Sequence, residues 1–379
     1  MNILHLEASS GWGGQEIRIL REAVGMRLRG HTVVFAVMSG AALGRNAKKA
    51  GFCVYEVNFK RFAWLYSLFK LLRIIGKHKI DLLNTHSSLD AWLGGIAARI
   101  SGKKIVRTRH LSAEVKKGWN CRVLYGQLAD YVVTTCKAII NPIAEGSGKP
   151  KHLFRSIATG VDVDQISFDS SGAAKFRKEM NLGPTDFLAG TACFMRSWKG
   201  IEVFLKAAYS LRSHADLKWV IIGGGHEAGY RKLAAEMGLE GIVHFTGHLE
   251  NPFAALGALD AFLLLSTANE GVSQAILQAA FLKKPLIATA TGGLSEVCLD
   301  QVTGIQVPIF QQTAVADAVL SLKGDPERAK NFGERARQLV LEQFTLQQTL
   351  DGMEEIYQTV LDIPRVIQES EYGKEAPRV

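Results

Sequence analysis

The sequence predicts an α/β protein made of two Rossmann-like, doubly wound parallel-sheet domains facing each other across a cleft. Three observations predict it. At 379 residues the chain is about two and a half times a typical single domain. Short apolar, β-branched runs alternate with helical stretches, and the rhythm restarts near the middle. The charge divides at the same place: residues 1–165 hold 25 Lys and Arg against 11 Asp and Glu, and residues 166–379 hold 20 against 25, so that +14 and −5 make up the net +9. Hydrophobic residues at 47% and only 9 prolines exclude a disordered, collagen-like or low-complexity chain.

Asn2 to Glu7 is an apolar run, followed by a Gly-rich turn, a helical stretch from about Gln15 to Arg29 and a second run from Thr32 to Met38, which makes a βαβ unit. Ile80 to Asn84, Lys104 to Arg107 and Tyr131 to Thr134 read as further strands of a parallel sheet covered on both faces. Ala144 to Lys151, rich in Gly and Lys, predicts a loop. The polar stretch from the Thr159-Gly160-Val161-Asp162 turn to Asp186 predicts the linker, with residues 1–165 as the first domain and 166–350 as the second. Strands then follow at Phe187 to Cys193, Trp219 to Ile222, Ile242 to Phe245, Ala261 to Leu265 and Pro285 to Ala288. Between them lie helices at Ile201 to Ser210, Gly229 to Met237, Ala254 to Leu259 and Val272 to Leu282, with more after Thr313 and Pro326. The amphipathic stretch Leu346 to Leu361, in a C-terminal segment of about 350–379, is a candidate to pack back on the first domain.

The longest stretch free of Asp, Glu, Lys and Arg covers only 301–316, short of the roughly 20 apolar residues that span a bilayer. The N-terminus has no basic region before its apolar run, so a cytoplasmic protein is expected. Cys53, Cys121, Cys136, Cys193 and Cys298 lie far apart and predict small core residues rather than a metal or disulfide framework. The basic first half points to an acidic partner: phosphate, an anionic membrane surface or nucleic acid. No nucleic-acid-binding motif or basic reading helix is present, so no nucleic-acid partner is expected.

Ligands of open α/β sheets bind beyond the carboxyl ends of the strands, so the loops there are the candidates. Gly11-Trp12-Gly13-Gly14-Gln15-Glu16 lets backbone approach a phosphate at a helix start, although Glu16 stands where a dinucleotide fingerprint needs glycine. Arg196-Ser197-Trp198-Lys199-Gly200 places two cations at a helix start, which costs a few tenths to about 1 kcal/mol unless an anion sits there. Ser266 to Gln274 carries Glu270 and Gly271 at the start of another helix, followed by Thr291-Gly292-Gly293 after the next strand. A carboxylate there either caps the helix or faces sugar hydroxyls.

Together, Gly-Gly-x-Glu near the start, Arg-x-x-Lys-Gly opening the second half, Gly223-Gly224-Gly225, Glu270-Gly271 before a helix and Gly292-Gly293-x-x-Glu296 resemble a family four retaining glycosyltransferase of the GT-B fold. Trp12-Gly-Gly-Gln-Glu, Asn84-Thr-His-Ser-Ser and Asn269-Glu-Gly-Val-Ser-Gln resemble members that build lipopolysaccharide or other cell-surface glycans. The resemblance implies a nucleotide-sugar donor, a glycan or lipid-linked acceptor and no metal or other cofactor. It implies that Arg196 and Lys199 neutralise the diphosphate, that Glu270 holds sugar hydroxyls and that His110 touches the donor sugar. It further implies that Gly13, Gly14, Gly224, Gly271, Val272 and Ser273 line the donor site. His86, on another cleft loop, reads either as an acceptor-side residue or as a loop histidine satisfied by its neighbours. The family has a second glutamate eight residues after the first, gripping the ribose; here that position is Gln278. Two other readings follow: a nucleotide-sugar epimerase of the same fold, and a catalytically degenerate binding protein, to which Gln278 points.

From Asn58 to Lys79, five aromatics mix with seven Lys, Arg and His, as in a helix lying on anionic lipid. The competing reading is a helix of the first domain's core, with Leu65, Leu68, Phe69, Leu72 and Ile75 on its buried face.

Overall fold

The computed structural model describes every residue except Glu114, Phe168 and 364–379. It contains two all-parallel sheets. The first comprises β1 (Asn2–Glu7), β2 (Thr32–Val37), β3 (Cys53–Glu56), β4 (Leu82–Thr85), β5 (Lys104–Arg109), β6 (Tyr131–Thr134) and β7 (Phe154–Ser156), in spatial order β3-β2-β1-β4-β5-β6-β7. The second comprises β8 (Phe187–Ala192), β9 (Leu217–Ile222), β10 (Val243–Gly247), β11 (Ala261–Leu264), β12 (Leu286–Thr289) and β13 (Gly304–Val307), in order β10-β9-β8-β11-β12-β13. Both orders reverse once, between β1 and β4 and between β8 and β11. Crevices of doubly wound sheets open at such points, and all three candidate loops leave strands that flank one.

β3, β7 and β13 escape the sequence reading because each is a short run of four residues or fewer with little apolar signal. The Ala144 to Lys151 loop is shorter than expected: Ile140–Ser147 is a helix, closed by left-handed Gly148. The expected linker also holds a helix, Ser170–Glu179, with the Asp169 carboxylate accepting from the Ser171 N–H at its start. Ala173, Phe176 and Met180 pack this segment into the second domain's core. Cys53 is exposed on an edge strand, against the expectation of a core residue, and all five cysteines are free.

The C-terminal helix Leu346–Val360 returns to the first domain. Thr345 and Gln348 cap its start reciprocally. Leu350, Met353, Ile356, Tyr357 and Val360 then join Ile3, Ile19 and Phe35 in one core. Each fully buried side chain of this kind is worth about 1.5–3 kcal/mol, so the first domain depends on residues from the other end of the chain. The part of the predicted C-terminal segment beyond residue 363 lies outside the described residues.

Helix Trp64–Lys77 buries Leu71, Ile74 and Ile75. Phe62, Leu65, Tyr66 and Phe69 stay between 69% and 83% exposed, so Leu65 and Phe69 are not on the core face. No helix among the described residues is long and apolar enough to cross a membrane.

Candidate functional site

The loop after β8 is held from both sides. Met195 N donates to Gly224 O at 2.7 Å, and His226 N to Met195 O at 3.1 Å. Gly224 thus anchors the backbone that leads into Arg196. Gly200 is left-handed (φ 71°), and a Cβ there would lie 2.0 Å from Leu265 O, so only glycine lets this turn rest against the end of β11. Thr267 N donates to Trp198 O at 2.8 Å and joins the two loops.

Lys199 forms an ion pair with Glu270 Oε1, to which Ser266 Oγ donates at 2.8 Å. This contact answers two questions left by the sequence. The lysine's charge at a helix start is met by a carboxylate, and the carboxylate beside a phosphate-type loop is balanced by a cation. Arg196 is exposed and pairs with no acid among the described residues, its guanidinium 5.3 Å from the Phe194 ring centre and 5.2 Å from that of Trp198. A cation held over aromatic faces keeps its N–H groups available.

The Glu270 loop packs on Thr291-Gly292-Gly293. Gly293 N donates to Glu270 O at 3.0 Å, and a Cβ on left-handed Gly292 would stand 1.8 Å from that same oxygen. The following helix begins later than expected, at Gln274 with Ser273 as its N-cap, and ends at Phe281. Val272 therefore precedes the helix, and its N–H goes to Thr135 O of the first domain at 3.3 Å. That donor is already engaged, which departs from the expectation that it faces a ligand. Gln274 Nε2 reaches Thr159 O (2.6 Å) and Gly160 O (3.1 Å) across the same gap. Gln278, one turn on, is half-buried.

From the first domain, Gly13 caps helix Gly14–Leu28, and its N–H donates to Glu16 Oε2 at 2.9 Å. Beneath this turn Glu7 accepts from Ser9 N and Ser87 Oγ, both at 2.7 Å. Burial pushes the Glu7 and Asp90 carboxyls upward. His110, at the end of β5, is half-buried at the cleft; Thr135 Oγ1 donates to its carbonyl at 3.0 Å beside Gly271. His86, expected on the acceptor side, is instead buried, with both ring nitrogens on other histidines: His110 at 3.0 Å and His5 at 2.9 Å. Burial, reinforced by Arg18 and Arg107, holds His86 and His110 well below the usual histidine range.

The structure thus brings Lys199, Glu270, Gly271, Val272, Gly292 and His110 to one seam between the domains, with Arg196 on the same loop as Lys199 and Gly224 on the neighbouring loop after β9. A cavity of about 310 Å³ opens along it, lined by Ser112, Ala113 and Ile139 from one side and Ala268, Asn269 and Gly292 from the other. A larger cavity, about 660 Å³, involves Arg177, Lys284 and Pro326 and none of these residues. Sequence reasoning missed Thr135 and His5, and it included Ser266 and Gln274 in the candidate loop without giving their side chains a role. His5 had a signal, a lone imidazole in an otherwise apolar strand core. Among the described residues no group of three or more His, Cys, Asp or Glu is placed to hold a metal ion.

Two family models match the chain: Glycosyltransferase Family 4 over residues 12–165 and Glycosyl transferases group 1 over residues 174–339. The chain is 26% identical to an N-acetyl-alpha-D-glucosaminyl L-malate synthase of Bacillus anthracis, with 88% of this chain and 90% of that protein covered. It is 26% identical to the O-antigen chain mannosyltransferase C of Escherichia coli, covering 76% and 77%. The HepE protein of Anabaena, solved in complex with UDP, superposes with a TM-score of 0.84 at 20% identity over 95% of this chain and all of that one, which establishes a shared fold. With matched domains on both sides of the cleft, the chain belongs to the group 1, family 4 glycosyltransferases and is an enzyme of GT-B fold.

Proposed function

We propose that this glycosyltransferase retains anomeric configuration as it moves a sugar from a nucleoside diphosphate to a glycan or lipid-linked acceptor, without a metal. The observation that carries the reading is the Lys199–Glu270 pair at the domain seam, with uncommitted Arg196 on the adjoining turn. As the C1–O bond to the diphosphate breaks, negative charge grows on the leaving oxygens. Arg196 and Lys199 supply positive charge there. Lys199 turns from carboxylate to phosphate, and Glu270, released, takes hydrogen bonds from hydroxyls of the departing sugar. His110 meets the sugar from the first domain, and Gln278 bonds the ribose. Both relatives' names support sugar transfer, and that of the O-antigen mannosyltransferase supports a cell-surface acceptor.

A place at an anionic membrane belongs to the same proposal. Phe62, Leu65, Tyr66 and Phe69 form an exposed apolar face, flanked in sequence by Lys60, Arg61, Lys70 and Arg73. Aromatic and basic side chains together bind the interface of anionic lipid.

The test is thermal stability across UDP, GDP, ADP, CMP and TDP sugars. A ligand at a hundred times its Kd adds about 2.7 kcal/mol, so one nucleotide class shifts the midpoint and Arg196→Ala abolishes the shift. No shift with any of them would favour the degenerate binding protein. Transfer persists in EDTA, and co-sedimentation with anionic vesicles at low salt is lost in Leu65→Ser/Phe69→Ser; failure of either outcome removes the corresponding part of the proposal.

A further inference from the structure

A chain of three imidazoles runs from the cleft into the core of the first domain. His110 Nε2 lies 3.0 Å from His86 Nδ1, and His86 Nε2 lies 2.9 Å from His5 Nδ1. The His5 and His86 rings are within 4° of parallel, and Phe35 packs 5.6 Å from His5. At the inner end His5 Nε2 faces Glu22 Oε1 at 3.9 Å. That oxygen accepts from the Tyr357 hydroxyl at 2.5 Å and from Asn84 Nδ2 at 3.4 Å. His5, Glu22 and Tyr357 are all fully buried.

A neutral imidazole carries one proton on one of two nitrogens. Two links in series therefore force one direction on all three rings. Either every ring is protonated on Nε2 and donates inward, or every ring is protonated on Nδ1 and donates outward. The inner end breaks the tie. His5 Nε2 makes no hydrogen bond among the described residues, so charge decides: in the first arrangement its N–H lies 3.9 Å from an ionised Glu22, and in the second a bare nitrogen lies there, lone pair against lone pair.

We propose that His5 and His86 are positioning residues that hold His110 as its Nε2–H tautomer with a bare Nδ1, and that buried Glu22 sets the direction of the chain. The charged and titratable groups around it fit. Burial holds His5 down to about 3 and lowers His86 and His110, so all three rings are neutral near pH 7. Burial pushes Glu22 up on balance, and Arg18 one turn away, Tyr357 and Asn84 oppose that shift by favouring the carboxylate. Arg107 on β5 and Arg18 disfavour an imidazolium anywhere along the chain.

The consequence for the reaction rests on the reading that His110 touches the donor sugar. A bare Nδ1 accepts a hydrogen bond from a sugar hydroxyl and finds nothing in the corresponding deoxy sugar. The tautomer makes His110 selective for a hydroxyl, where the opposite tautomer would also welcome an ether or carbonyl oxygen.

The experiment reads the tautomers directly, in ligand-free protein labelled with 15N-histidine, from long-range proton–nitrogen correlations at pH 7.5. The expected result is three Nε2-protonated rings. An Nδ1–H tautomer or an imidazolium at any of the three overturns the proposal, and no variant has to fold for that answer. In Glu22→Gln the amide can donate to His5 Nε2, and His110 moves toward its Nδ1–H form. If all three tautomers stay as they were, Glu22 does not set the direction. In steady-state transfer His86→Phe lowers kcat/KM by about tenfold, one positioned hydrogen bond, and the deoxy-sugar donor closes on the natural one. An unchanged rate in His110→Ala would overturn the sugar contact itself, a failure of the functional reading that leaves the tautomer result standing.

Discussion

In the first domain the carboxyl ends of the central strands are crowded with buried polar groups, His5, Glu7, Asn84, His86, Arg107 and Thr108. In the second, Thr191 is the one polar side chain within β8 and β11, and the charges, Arg196, Lys199 and Glu270, stand on the loops beyond them. The same topology thus builds two kinds of site wall. One is a polar network whose members hydrogen-bond one another inside the sheet, with His5 Nε2 and Arg107 Nε left unpartnered among the described residues. The other is a pair of glycine-anchored loops whose charges are free to exchange partners. The first suits a fixed surface and the second suits a diphosphate that arrives and leaves.

The largest effect that tests this difference falls on the first domain's dependence on distant chain. Leu350→Ala removes a buried side chain from the core shared with Ile19 and Phe35 and costs about 2–5 kcal/mol. Urea unfolding followed by fluorescence should show the first domain melting early. A variant as stable as the parent would mean that the C-terminal helix is a passenger. Next is Glu270→Ala, which leaves Lys199 and Ser266 without their shared partner and removes the sugar contact. Transfer should fall by about 10²–10³-fold, the size of losing one preorganised transition-state contact; because Glu270 is buried against Lys199, stability falls as well, and thermal unfolding of the variant separates the two effects. An unimpaired Glu270→Ala enzyme would sink the assignment of the site.

The third effect is a pH dependence confined to the first domain. His5 titrates near 6.5 when unfolded but is held down to about 3 in the fold. Between those values the unfolded chain binds a proton that the native one refuses, so stability contributed by this group is complete above about 6.5 and is lost as pH falls toward 3. The slope is about 1.4 kcal/mol per pH unit. Raised carboxyls such as Glu22 act with the opposite sign, so the clean observable is a difference. The stability gap between wild type and His5→Phe should shrink by about 2 kcal/mol from pH 6.5 to pH 5. Parallel curves for the two proteins would show that His5 is charged in the fold.

These contrasts also explain what was legible in the sequence. The Arg196 and Glu270 loops could be read because each is a local pattern, an apolar strand followed by charge and glycine within a few residues. The histidine network could not, since His5 meets His86 across 81 residues and Glu22 meets Tyr357 across 335. Leu346 to Leu361 reads as amphipathic from its spacing, yet nothing local says which surface covers it. Trp64–Lys77 taught the reverse lesson. It is apolar nearly all round, and its 3.6-residue period allowed Leu65 and Phe69 on the core face where packing chose Leu71, Ile74 and Ile75. The Val272 N–H looked available by its place near a helix start, and only the approach of Thr135 from the other domain removes it.

The smallest expected effect concerns Gln278, where the resemblance implies a glutamate. It lies one turn beyond Gln274 on the same helix, half-buried. A neutral amide makes each such bond about half as strong as a carboxylate does. Gln278→Glu should therefore lower the donor KM by about two- to tenfold, the value of strengthening one hydrogen bond. Its kcat should not move, because the ribose is held alike before and during bond breaking, and uniform binding does not speed chemistry. A change in kcat with KM fixed would place Gln278 at the reacting sugar instead, and would transfer to the second domain's helix a role now assigned to His110 in the first.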